Sequence, residues 1–124
     1  MSANPDRQVR RGDALIYCAG AIAERYEAMG GRVVMAGKPF PPMYELAREE
    51  AARLLGFLPQ KSQMLAIGDG PETDIAGAAS FGIAAVLIAH GVSHGKSPED
   101  LLETVRRRVP GAQIIRTLAA LTWV

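Results

Sequence analysis

Met64-Leu65-Ala66-Ile67-Gly68-Asp69-Gly70-Pro71-Glu72-Thr73-Asp74 is the stretch that decides how this chain reads. Four apolar residues run into a Gly-Asp-Gly turn, and a second carboxylate follows five residues after the first. A short unbroken apolar run predicts a strand buried on both faces, as in a parallel sheet. The turn falls at the carboxyl end of that strand, where open α/β sheets keep their ligands. Gly68 and Gly70 allow backbone angles that other residues resist, and they leave room for a ligand. Thr73 and Asp74 then open a helix. Asp69 and Asp74 are therefore expected at one spot at the mouth of a sheet, a setting suited to a divalent cation with its preference for oxygen ligands. The same residues also fit a plain turn and helix cap, since Gly-Asp-Gly is a common turn and Thr or Asp a common N-cap.

Toward the carboxyl end, a helix over about 73–81 is rich in small residues, which lets it lie close against a sheet, and Gly82 ends it. Ala84 to Ala89 reads as a second apolar strand, followed by a glycine-bearing loop from His90 to Lys96. His90 and His94 flank Gly91-Val92-Ser93 without helical register or a zinc pattern, which makes them loop polarity before they are ligands. Ser97-Pro98-Glu99-Asp100 caps another helix, with Asp100 at the capping-box position. Arg106, Arg107 and Arg108 lie in its last turn, where cations suit the helix dipole. Gln113 to Arg116 is a third short strand, and a helical turn is expected from Leu118 to Val124.

Toward the amino end, a helix from Met43 to Leu55 is expected to bury Met43, Ala47, Ala51 and Leu54 and to pair Glu49 with Arg53. Lys38 stands in the loop just before it. A loop lysine taken alone is most often solvated. Near a helix amino terminus and opposite a carboxylate-held cation, its ammonium becomes a point charge for phosphate oxygens. Val33-Val34-Met35 reads as a short strand. Asp13 is expected to cap a helix running to about Met29, with Ile16, Ala19, Ala23 and Tyr26 at helical spacing and Gly30-Gly31 stopping it. Residues 1–12 are irregular, with a turn at Asn4-Pro5-Asp6.

Strand and helix alternate, so the predicted fold is α/β, a parallel sheet with helices on both faces. At 124 residues the chain makes one domain. A net charge of +1 gives no nucleic-acid footprint. No apolar run is long enough to span a bilayer. The polar start is not a secretory signal, and the lone Cys18 fits a reducing compartment, so a cytoplasmic protein is expected.

Gly37-Lys38-Pro39, a helix, and then an apolar strand ending in Gly68-Asp69-Gly70-Pro71-Glu72-Thr73-Asp74 resembles the haloacid dehalogenase-like phosphohydrolases. The likeness is greatest to their type IIA, p-nitrophenylphosphatase-like subfamily, which carries a large cap. It covers about Ala3 to His94, from late cap toward the carboxyl terminus. The resemblance implies a Rossmann-like core, with residues 1–31 derived from the cap or its connection and 32–124 forming the carboxyl-terminal half of the core. It implies that Lys38 stabilises the nucleophile and the transferring phosphoryl group. Asp69 would bind Mg²⁺, Asp74 would hold the lysine or a metal-bound water, and the backbone at Gly68 and Gly70 would line the substrate pocket.

One departure from the family pattern governs the functional expectation. Members of the family begin with a strand ending in Asp-x-Asp-Gly, whose first Asp attacks phosphorus. These residues contain no Asp-x-Asp. The resemblance therefore implies a phosphatase of small phosphomonoesters reduced to its carboxyl-terminal half, lacking the amino-terminal strands, inactive alone and weak or deficient in Mg²⁺ binding. One alternative is a non-catalytic interaction or regulatory module; another is one subunit of a split enzyme. The strand at Met64, lacking its usual neighbour, would expose an apolar edge. The partners expected are a second copy of the chain or an amino-terminal partner chain, with neither nucleic acid nor membrane involved.

Overall fold

The structure, a computed structural model, describes residues 1–89 and 97–122. His90, Ser93, His94 and Trp123 lie outside the described residues. In chain order the elements are β1 (Gln8–Arg11), β2 (Ala14–Tyr17), α1 (Ala19–Ala28), α2 (Pro41–Leu55), β3 (Leu65–Gly68), α3 (Ala76–Phe81), β4 (Ala84–Ile88), α4 (Pro98–Arg108) and β5 (Ile114–Leu118). A 3₁₀ turn at Lys61–Gln63 precedes β3, and a π-helical turn at Pro71–Ile75 leads into α3.

The expected parallel sheet forms: β3, β4 and β5 lie side by side in that order, all parallel. Each of the two β–α–β crossovers carries a helix, as parallel neighbours require. Ala66 stands beside Ala85 and Gly68 beside Leu87. Ala85 and Leu87 face a core made with Tyr44, Ile75, Ala78, Phe81, Leu101 and Val105, so α2, α3 and α4 all contribute to that one layer. Leu65 and Ile67 alternate to the opposite face, beside Ala84 and Val86.

β3 is the first correction. It stands at the edge of the sheet with β4 as its neighbour, in line with the bare edge expected, but it is not buried on both faces: Leu65 and Ile67 remain 47% and 51% exposed. β4, in the middle, is the strand that is buried throughout most of its length.

The amino-terminal region also departs from expectation. Asp13 does not cap a helix. β1 and β2 form an antiparallel hairpin in which Arg11 pairs with Ala14, leaving Gly12-Asp13 as a two-residue loop. Gly12 has φ of +62°, the arrangement that glycine at the first loop position provides. Ile16 is thus a strand residue, and α1 starts after Cys18. The strand expected at Val33–Met35 shrinks to one parallel bridge between Ser2 and Met35. Its bonds run from the Ser2 N–H to the Val34 carbonyl (2.8 Å) and from the Ala36 N–H to the Ser2 carbonyl (2.9 Å).

α2 begins at Pro41 and ends at Gly56, whose φ of +78° makes the left-handed cap. The helix turns a different face inward from the one expected: Tyr44 is its buried residue, while Ala47 and Leu54 are exposed. The reason lies on α3, where Gly77 has no side chain and a Cβ there would collide with the Tyr44 hydroxyl. Arg53 pairs with Glu50, one turn away at i,i+3, rather than with Glu49. Ser97 caps α4, its Oγ accepting from the Asp100 N–H (3.1 Å) and donating to the Asp100 carboxylate (2.9 Å). No helical turn follows Leu118, which closes β5; residues 119–122 carry neither helix nor strand. Among the described residues, no helix is long and apolar enough to cross a membrane.

Candidate active site

Three sequence features place the site at the carboxyl rim of β3. β3 ends at Gly68, the π-helical turn brings the chain back over that end, and the Gly37–Lys38 loop enters α2 beside it. Lys38 Nζ donates to Asp74 Oδ1 at 2.6 Å across a separation of 36 residues. Asp74 Oδ2 accepts from the backbone N–H groups of Gly70 (3.0 Å) and Asp69 (3.2 Å). The Asp74 side chain is 11% exposed and that of Lys38 is 48% exposed. A buried carboxylate so completely partnered is the arrangement that avoids the cost of isolated charge.

The electrostatics follow from this pair. The hydrogen bond to Asp74 holds the Lys38 ammonium above the ordinary lysine range, against the opposing effect of partial burial. The Asp74, Tyr44 and Asp69 charges add to the rise. Asp69 joins the same rim through its backbone N–H to Asp74, and it is half-buried. The structure therefore brings together Lys38, Asp69 and Asp74.

Gly68 and Gly70 also lie here, but the space at each is occupied by the protein itself. A Cβ on Gly68 would collide with the Asp74 carboxyl group, and one on Gly70 with the Thr73 hydroxyl. Gly68 therefore makes room for Asp74 rather than for a ligand. Gly70 does border open space: a cleft of about 580 Å³ runs past Gly70, Thr73, Lys38 and Met43 on one side and Asn4, Pro5 and Asp6 on the other. The Asn4–Asp6 wall is held by the Asn4 side chain, which accepts from the Asp6 N–H (2.8 Å), and by the Asp6 carbonyl, which accepts from the Gly20 N–H (3.0 Å). From sequence, Thr73 opens a helix and Asn4-Pro5-Asp6 makes a turn; neither reads there as a site residue. A second cleft, of about 620 Å³, lies between the β1–β2 hairpin and α1, where Arg7 pairs with Glu24 at 2.8 Å. It holds no lysine–carboxylate pair of the rim kind, and the chemistry stays with the smaller cleft.

The donor set can be tested against Mg²⁺. Both Asp74 oxygens are engaged, one by Lys38 and one by two backbone N–H groups. Asp69 is the other carboxylate at the rim, and among the described residues no three of His, Cys, Asp and Glu come together as a metal-binding group. Mg²⁺ demands octahedral oxygen coordination. These residues do not make that site, although Asp69 has the chemistry of one of its ligands.

A family model described as HAD-hydrolase-like matches residues 35–121. The chain is similar to a haloacid dehalogenase-like hydrolase from Brucella suis 1330, with 39% identity over 96% of this chain and 42% of that one and a TM-score of 0.67. It is similar to a p-nitrophenyl phosphatase from Archaeoglobus fulgidus, with 26% identity over 94% of this chain and 41% of that one and a TM-score of 0.67. A hypothetical protein from Pyrococcus horikoshii OT3 shares 29% identity over 94% of this chain and 39% of that one, with a TM-score of 0.68. The chain spans about two fifths of the length of these solved structures. No curated protein matches it significantly.

Proposed function

The chain belongs to the HAD-like hydrolase family, and on that premise we propose that it carries the lysine-and-carboxylate half of a Mg²⁺-dependent phosphatase site for small phosphomonoesters and is inactive by itself. The observation that carries the proposal is the Lys38–Asp74 bond at the carboxyl rim of β3. Phosphoryl transfer asks a protein chiefly for position and for fixed positive charge near the equatorial oxygens. Lys38 supplies that charge. Asp74 fixes it in place. Gly70 and Thr73 form the floor beside it. Asp69 would supply one carboxylate oxygen to a metal site whose other ligands come from outside these residues.

The attacking carboxylate comes from outside these 124 residues, since they contain no Asp-x-Asp and covalent phosphoryl transfer cannot run without a nucleophile. The open edge of β3, which ends at the site, is the place for the strand that delivers it. The two half-exposed apolar side chains there, Leu65 and Ile67, favour that pairing.

The test is turnover of p-nitrophenyl phosphate with Mg²⁺. The chain alone is expected to show none. Addition of a chain bearing Asp-x-Asp-Gly is expected to produce turnover that Asp69→Asn abolishes. Robust turnover by the chain alone, lost in Asp69→Asn, would overturn the claim of inactivity; a reconstituted pair indifferent to Lys38→Met would overturn the site.

A further inference from the structure

Tyr44 is not one of the groups that would meet a phosphate, yet it is built into the site from below. It is the buried residue of α2, six positions after Lys38 on the same segment. Its hydroxyl donates to the backbone carbonyl of Asp74 at 3.3 Å. Its ring stacks on Phe81, with centroids 5.4 Å apart and planes 24° from parallel. Gly77 clears the space that the hydroxyl occupies. The segment running from Lys38 into α2 thus holds Asp74 twice, by its carboxylate through the ammonium and by its carbonyl through the phenol.

We propose that Tyr44 is the positioning residue of the Lys38–Asp74 pair, fixing the π-helical turn against α2 so that the Asp74 carboxylate meets the ammonium. A hydroxyl suits this task because it reaches a carbonyl that a purely apolar side chain would only cover. Burial, and then the Asp74 charge, push the Tyr44 phenol above its usual range, and a phenol is a donor at physiological pH even without that rise. The ring alone would account for packing; the hydroxyl's partner is the residue that holds the lysine. The inference rests on the reading of Lys38 as the site's cation. Its test reads bond geometry rather than turnover, so it can fail while the phosphatase reading stands.

Tyr44→Phe keeps the ring and its stacking and removes the hydroxyl. Nuclear magnetic resonance of the labelled chain would follow the Lys38 ammonium signal, which reports the bond to Asp74 Oδ1, and the amide protons of Asp69 and Gly70, which donate to Asp74 Oδ2. Expected are loss of the ammonium signal and upfield movement of both amides, with the Tyr26→Phe control unchanged. A residue that merely packs would lower the melting temperature and leave these signals in place, and that result would overturn the proposal. Should Tyr44→Phe fail to fold, Lys38→Met reads the same coupling from the other side. It is expected to shift the Tyr44 ring resonances, and unchanged resonances would overturn the proposal equally.

Discussion

At the scale of single residues, Asp74 gathers the site. It takes Lys38 on one oxygen and two backbone N–H groups on the other, and it lies against Gly68 so closely that no side chain fits between them. Gly68→Ala should therefore cost about 1–3 kcal/mol by overpacking and should weaken the Lys38 bond as the carboxyl group is pushed aside. Urea unfolding and the Lys38 ammonium signal check both effects. The raised Lys38 pKa sets a direction with pH. A cation whose folded pKa lies above its unfolded one contributes stability fully below the unfolded value and loses it as pH rises through the folded value. Stability from this pair should hold from neutral pH to the ordinary lysine range and fall above it. Thermal unfolding across that alkaline range should show the fall in the parent chain and a flatter profile in Lys38→Met. The meeting of Lys38, Asp69 and Asp74 at one rim was expected from the order of lysine loop, apolar strand and paired aspartates, and from the resemblance which that order carries. The reason for Gly68 was not, because an unfilled volume is defined by a neighbour that sequence does not locate.

Elements were legible where periodicity was strong and obscure where pairing decided. The two parallel strands around the small-residue helix, the proline start of α2 and the Ser97 cap all follow from local signals. The hairpin carried a signal too: Gly12-Asp13 between two short runs is a hairpin loop, overridden in the sequence reading by helical spacing that continued past Cys18. The inward face of α2 could not be read, because Tyr44 turns inward only where Gly77 receives it. The exposure of β3 depends on which strands lie beside it. A strand with Leu65 and Ile67 half-exposed should associate, and Ile67→Lys should suppress that association, since a charge on an edge strand opposes pairing. Light scattering at high micromolar concentration should give a mass that rises with concentration for the parent chain and a constant one for the variant. A monomer throughout for the parent would count against a partner on this edge.

At the scale of the whole molecule, one core joins β4 to α2, α3 and α4, with Leu87 and Leu101 fully buried within it. Leu101→Ala should cost about 2–5 kcal/mol through lost burial and a residual cavity, measured by urea unfolding. The layer under the site is thus complete, whereas the β3 edge beside the site is open. That combination fits a chain whose family and fold are readable in 124 residues while the nucleophile of the proposed reaction lies outside them. Everything functional depends on Lys38 and Asp74 acting as a unit at that rim. A double-mutant cycle of Lys38→Met and Asp74→Asn, scored by urea unfolding, measures that directly. A coupling of about 0.5–3 kcal/mol is expected, because removing either partner ends the bond that joins them. Additivity within about 0.3 kcal/mol would mean that the two groups do not act together, and the site described here would not exist.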